Sequence, residues 1–412
     1  MKEHLLHYIW RNKLFNVKAL TTTVCANLEI IDFGSYNKDG GPDFLNAKIR
    51  IDDVILAGNI ELHVKASDWK LHKHDADKKY ANIILHVVYF DDMETGLPTL
   101  ELNGRIPPLL LQKYIHLMSA EGELACANQL NSIDSFTLHN WTERLVIERL
   151  ERKSKIIRHT FSVNHNDWQE TTYQLFGKYF GAPVNKASFE SLTALLPYKI
   201  ISRHSSGLFQ LESLLFGVAG MLDRDFTDSY PISLKKEFSF LRYKYQLRSL
   251  DSHQWQFLRM RPISFPTIRL SLFSALLQRT PLFERILQPS STHEFLEEIE
   301  VSPYWNSHYL FDKPSLIKPK LLGKVLGNSL RINVVAPLIY TYGVIHAERK
   351  YMEQALALLA AIPAEQNARI QIFTTAHWFP ESAYSTQAML ELNEYYCTRK
   401  RCLDCAIGNK IL

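Results

Sequence analysis

Residues 83–90, IILHVVYF, restrict the possible folds more than any other stretch of the chain. A nearly unbroken apolar run of this length, rich in β-branched and aromatic residues, reads as a strand buried on both faces. Such a strand needs sheet neighbours and a covering layer on each side, and the preceding residues supply them. Leu28–Phe33, Ala47–Asp52 and Ile55–Lys65 are strand-like, with Asp52-Asp53 as the hairpin turn between the last two. Residues 3–14 step Leu5, Leu6, Ile9 and Trp10 at helical spacing, and a second helix is expected from an N-cap at Ser67 to about Tyr80. With a loop and helix around Pro107–Met118, the order helix, three strands, helix, strand fills an α/β domain over residues 1–118.

The period changes from about residue 134, where the pattern turns helical almost to the end. Trp141–Ile157 is charged and amphipathic, Leu208–Leu222 carries Gly217 and Gly220 for close helix contact, and 320–345 with 348–362 read as a packed helix pair. No fixed repeat supports a solenoid. The expected fold class is therefore α/β plus all-α, with a larger α-helical domain over residues 119–412.

Composition narrows the function classes. The 412 residues are 46% hydrophobic and 22% charged, which excludes disordered and collagen-like chains. No apolar run reaches the roughly 18–20 residues of a membrane-spanning helix. The first residues, MKEHLLHYIWRNK, lack a signal-peptide core. Five unevenly spread cysteines argue against a disulfide framework. The expectation is a soluble, cytoplasmic protein without a membrane partner. Net charge is +4, from 47 Lys+Arg and 43 Asp+Glu, but it is uneven: residues 1–118 hold 14 basic and 15 acidic residues, whereas 233–280 hold nine and two. A basic stretch of that kind suits a polyanion.

The richest chemistry lies in GGPDFLNAKIRIDDVILAGNIELHVKASDWKLHKHD, residues 40–75. Asp43 follows Pro42 at the entrance to one hairpin strand, and Glu61 lies late in the other. On that second strand Asn59, Glu61, His63 and Lys65 share a face, while Ile60, Leu62 and Val64 point the other way. Two converging carboxylates repel unless a cation sits between them, and oxygen ligands suit Mg²⁺ or Mn²⁺. His72 and His74 point about 200° apart on a helix; in an extended segment they and His63 make a zinc set. His86, in the apolar run, reads as a hydrogen-bonded core histidine.

Two further groups stand out. Cys397, Cys402 and Cys405 have the spacing C-x4-C-x2-C, one thiol short of a tetrahedral zinc or iron–sulfur set, with Cys126 or a histidine such as His377 as the fourth donor. Residues 235–269 interleave rings with Arg242, Lys244, Arg259, Arg261 and Arg269, a mixture suited to phosphates and unpaired bases, or else a helix with core aromatics and surface charges. The chain has no Gly-x-Ser-x-Gly, no His-Glu-x-x-His and no phosphate loop, which removes serine hydrolase, metalloprotease and P-loop readings.

Pro42-Asp43 followed by Glu61-x-His63, in this element order, resembles the restriction-endonuclease-like nucleases, whose motif is Pro-Asp, a variable gap, then Asp/Glu-x-Lys. The resemblance implies a nuclease-like N-terminal domain in which Asp43 and Glu61 hold the metal, with Glu3 of the first helix as a further ligand. It also implies that the residue two after Glu61 assists the attacking water. Here that residue is His63 in place of lysine, and Lys65 lies one step along the same face. The implied activity is divalent-metal-dependent phosphodiester hydrolysis on DNA or RNA; the competing expectation is an inactive nucleic-acid-binding or scaffold protein of the same fold. Some helicase-nucleases sharing that fold bracket it with one cysteine before and three after, whereas Cys126 follows the core here. The series GPDF, GNIELH, SDW, H-x-H and ILHVV also resembles an uncharacterised bacterial family, a domain of unknown function, over nearly the whole chain.

Overall fold

The protein is described by a computed structural model over residues 1–120, 122–288 and 295–412. The chain divides into two compact units: Met1–Trp141 with Thr375–Trp378 and Asn393–Leu412, and Thr142–Thr374 with Phe379–Leu392. The anticipated boundary at 118/119 thus falls inside the first unit, to which the C-terminal residues return. Packing explains the return. Leu403 is buried in the core of the first unit, Lys400 Nζ donates to the Met118 carbonyl at 2.7 Å, and the Tyr396 ring packs edge-on against Trp141 at 5.3 Å.

The first unit is a seven-stranded mixed sheet with helices. Helix α1 (Glu3–Arg11) is followed by β1 (Leu20–Thr21), β2 (Asn27–Asp32), β3 (Ser35–Tyr36), β4 (Phe44–Ile51) and β5 (Val54–Lys65). Next come α2 (Asp68–Leu71), β6 (Ile83–Phe90), β7 (Thr99–Glu101) and α3 (Pro108–Ser119). The strand order is β1-β2-β4-β5-β6-β7, with β3 paired to β4 beside β2. β4 runs antiparallel to β5, whereas β6 is parallel to β5 and β7 parallel to β6. A parallel pair needs a crossover, and the residues between β5 and β6 provide it.

Alternation along β5 separates two environments. Ile60 and Leu62, with Leu85 and Val87 of β6, enter an apolar core shared with Leu5, Leu6, Ile9 and Trp10 of α1 and with Leu110 and Tyr114 of α3. Glu61 and His63 of β5 and His86 of β6 take the alternate positions and are also buried. Trp69 of α2 covers these polar groups, its ring 5.5 Å from His86 and 6.4 Å from His63.

The helix expected from Ser67 to about Tyr80 is one short turn. Lys73 adopts a left-handed conformation (φ +61°), and two 3₁₀ turns, His74–Ala76 and Lys78–Tyr80, complete the crossover. Local side-chain bonds win over helix propagation here: Asp68 Oδ2 accepts the Lys65 N–H at 3.0 Å, and Asp77 Oδ1 accepts the Lys79 N–H at 2.9 Å.

The second unit is almost wholly helical among its described residues. Its longest helix continues from the first unit, Ser135–Val163. Where one helix was expected over 320–345, Lys324–Leu330 and Ala336–His346 are joined by a π-helical turn at Arg331–Val335. Pro337 has no N–H to donate to the preceding turn, which favours such a bulge. The close contact anticipated at Gly217 is present: an added Cβ would lie 2.1 Å from Cγ of Phe238, whose ring packs over helix Leu208–Val218. Gly217→Ala is therefore expected to destabilise the protein by about 1–3 kcal/mol through overpacking, measured by chemical denaturation.

Candidate metal centre

Strand pairing builds the centre. In the antiparallel register Phe44 lies opposite Ile60, which sets Asp43, one residue before β4, beside Glu61. Two backbone amides then hold these carboxylates in place. Asp43 N–H donates to Glu61 Oε2 at 3.1 Å, and Leu62 N–H donates to Asp43 Oδ2 at 2.9 Å. Helix α1 adds two side chains one turn apart, Glu3 and His7. His7 Nε2 is 3.2 Å from Asp43 Oδ2 and 3.7 Å from Glu3 Oε1. One donor atom each from Glu3, His7 and Asp43 fall within 4.8 Å of one another, the spacing of a cation's inner shell.

A second group of donors adjoins the first through Glu61. His63, His72 and His74 also bring ligand atoms within 4.8 Å of one another. His63 Nε2 is 3.2 Å from His72 Nδ1, and His63 Nδ1 is 2.8 Å from His86 Nε2. Glu61 Oε1 faces this group, 3.4 Å from His74 Nε2 and 3.8 Å from His63 Nε2. Glu61 thus turns one oxygen to the histidines and the other to Asp43.

Burial dominates the electrostatics. The Glu61 carboxyl is pushed up to about 8, first by desolvation and then by the negative charge of Asp43, against a smaller opposite pull from the Asp43 amide. Burial also raises Glu3, with His7 opposing and Asp43 reinforcing. His63 is driven down to about 2 and His86 to about 4, in both cases by desolvation first and neighbouring imidazoles next. A bound cation would reverse the argument for Glu61, because positive charge favours the carboxylate.

Of the residues singled out from the motif, Asp43, Glu61, His63 and Glu3 all belong to this constellation. Lys65 does not join it: it is exposed at the end of β5, and its charge reaches Asp92. His63 is fully buried, with both ring nitrogens turned to other histidines. Sequence reading passed over His7, although the Glu3-x-x-x-His7 spacing puts both residues on one helix face. His86 is the hydrogen-bonded core histidine that the apolar run suggested, and its partner is His63.

Cys126, Cys397, Cys402 and Cys405 all lie in the first unit and are free thiols. Cys126 precedes a 3₁₀ turn at Ala127–Ser132, and Cys405 N–H bonds to the Cys402 carbonyl at 3.2 Å before the helix Ala406–Ile411. Burial raises all four thiols. Cys397 also feels Cys126, Cys405 and Cys402, in that order, so the four are in electrostatic reach of one another. Cys25 is exposed and stands apart.

The basic aromatic segment of the second unit splits by burial. Phe238 and Trp255 are core residues, whereas Phe240 and Tyr243 are exposed beside the exposed Arg242 and Lys244 on helix Ser229–Tyr245. Arg259 and Arg261 are exposed as well. Arg269 is largely withdrawn in helix Pro266–Leu277, and desolvation lowers its guanidinium to about 10.

The Glu61 shift has a testable sign. Between the ordinary carboxyl value near 4.5 and about 8, the folded metal-free protein holds a proton that the unfolded chain has released, so stability falls as pH rises. Below the ordinary histidine value of 6.5, His63 and His86 act oppositely, eroding stability as pH falls. In chelator, denaturation between pH 7 and 9 is expected to show a loss of roughly 1–2 kcal/mol that Glu61→Gln abolishes.

Among known proteins, no curated protein and no solved structure matches the chain. A family model described as "Protein of unknown function (DUF2851)" matches residues 3–368, which takes in α1, the whole sheet and most of the helical unit. By that match, spanning nearly the whole chain, the protein belongs to the DUF2851 family.

Proposed function

We propose that this protein is a divalent-metal-dependent phosphodiesterase acting on nucleic acid, with an N-terminal unit of restriction-endonuclease-like type. The observation that carries the reading is the crossed bonding where β4 begins beside β5, Asp43 N–H to Glu61 Oε2 and Leu62 N–H to Asp43 Oδ2, with Glu3 and His7 of α1 closing on Asp43. Asp43, Glu61 and Glu3 would hold Mg²⁺ or Mn²⁺. A cation there would acidify a bound water and neutralise charge on the phosphoryl oxygens.

The protein's own groups have separable parts. Asp43 and Glu61 fix the cation through strand-anchored carboxylates. His7, whose Nε2 is 3.2 Å from Asp43 Oδ2, would take the proton released when the water oxygen bonds to phosphorus. The P–O ester bond then breaks, and the leaving oxygen is protonated from solvent or from the same imidazole. His63 is buried between His72 and His86 and does not act as the base. Exposed Arg242, Lys244, Tyr243 and Phe240 supply charge and ring faces of the kind that holds a nucleic-acid strand.

A panel of DNA and RNA substrates with Mn²⁺ is expected to be cleaved by the wild type, and Asp43→Ala to lower the rate by about a hundredfold or more. A wild type inert on every substrate would leave the non-catalytic nucleic-acid-binding reading.

We also propose that Cys126, Cys397, Cys402 and Cys405 hold a structural zinc ion or iron–sulfur cluster. Four thiols in electrostatic reach of one another, Cys405 buried and the other three half-buried, are the supporting observation, since ionising them together needs a compensating cation. Anaerobically purified protein is expected to carry zinc or iron that Cys402→Ser releases, with a lowered melting temperature; elemental analysis finding neither metal above background overturns it.

A further inference from the structure

We propose that His63, His72 and His74 form a zinc site of their own, joined through Glu61 to the carboxylate site of Asp43 and Glu3, so that the centre takes two metals of different chemistry. The zinc site stands on its own donors. Its role in phosphodiester chemistry rests on the function proposed above.

Donor spacing is the first argument. His63 Nε2 and His72 Nδ1 are 3.2 Å apart, His74 Nε2 is 3.4 Å from Glu61 Oε1, and His63 Nε2 is 3.8 Å from the same oxygen. Ligands at about 2.0–2.1 Å around a tetrahedral zinc stand roughly 3.3–3.4 Å from each other, so these separations are edges of such a polyhedron. Three imidazoles favour zinc over magnesium or calcium, which prefer oxygen.

Orientation of the ligands is the second. When His63 offers Nε2 to a metal its proton sits on Nδ1, and His86 Nε2 lies 2.8 Å away to accept it. A ligand imidazole held through its other nitrogen is the usual outer-shell arrangement of zinc centres. His86 is wholly buried, which fixes that partner in place. His74 is held by rings, with Tyr80 at 3.9 Å and Trp69 at 5.4 Å between centroids.

The third argument is the backbone. A helix continuing through residue 74 would point His72 and His74 about 200° apart. Lys73 breaks it in the left-handed region, a conformation unfavourable for a non-glycine residue, and both histidines then come within reach of His63.

The geometry also gives a substrate class. Glu61 Oε1 faces the histidines while Oε2 accepts the Asp43 N–H, so Glu61 stands between the two donor groups, where it would be a ligand common to two cations. A bridged pair can clamp the attacking and leaving oxygens of a phosphoester in in-line displacement.

The test uses the full chain, stripped with chelator and titrated with Co²⁺ or Zn²⁺. One Co²⁺ equivalent with visible bands of a four-coordinate nitrogen and oxygen site is expected; near-ultraviolet thiolate bands would separately report cobalt at the cysteines. His72→Ala with His74→Ala, both positions reached by solvent, should weaken that equivalent about a hundredfold or more with the circular dichroism unchanged, and Asp43→Ala should retain it. A nitrogen-type spectrum missing from wild type, or wild-type affinity in the double histidine variant, overturns the zinc site. Zinc bound at the histidines without cleavage on any substrate rejects the phosphodiesterase reading alone. Mn²⁺-dependent cleavage without histidine-bound zinc rejects the present inference alone.

Discussion

A carboxylate and two imidazoles are buried on the two central parallel strands, and the first unit is organised around satisfying them. Interior polar groups are tolerated only when each finds a partner, because an unpaired one costs a few kcal/mol. Glu61 is answered by the Asp43 amide, His63 by His86 and His72, and His74 by the Glu61 carboxylate and the Tyr80 ring. The opposite face of the same strands is an ordinary apolar core. This division lets stability rest on Ile60, Leu62, Leu85 and Val87 while the other face buries the carboxylate and the imidazoles.

Alternation made this face legible in the sequence. Period two along 54–65 separates Glu61 and His63 from Ile60 and Leu62, and the apolar run 83–90 marks the strand beside them. Pairing through the Asp52-Asp53 turn brings Asp43 to the same end of β5 as Glu61, and a register shift between Phe44 and Ala47, which the sequence does not reveal, sets the two side by side. The crossover was harder to read, because its outcome depends on side-chain bonds from Asp68 and Asp77 that compete with an otherwise acceptable helical pattern. His7 escaped notice for another reason. Its importance comes from where α1 docks, and helical spacing alone does not reveal docking. Strands of two or three residues, such as Ser35–Tyr36 and Thr99–Glu101, carry too little pattern to be seen at all.

In the helical part, element type was evident and element boundaries less so. Pro337 inside an apolar run does not end the helix, since a π turn absorbs its missing donor. The basic aromatic segment resolves only when burial is known: of four rings close in sequence, Phe238 and Trp255 face inward and Phe240 and Tyr243 outward. Spacing along helix Ser229–Tyr245 puts Phe238 and Phe240 on opposite faces, and Phe238 shares its face with the buried Leu234 and Leu241 and meets Gly217 on the inner side.

The first unit contains both the earliest and the latest residues of the chain, and this has a consequence for its biosynthesis. During translation the sheet and α1 emerge early, but Leu403 and the three clustered cysteines emerge only after the helical unit has been made. Domains ordinarily fold as they leave the ribosome, N-terminal first. Here the first unit waits with an open seam until Leu403 has emerged, so products that stall within the helical unit never acquire it intact.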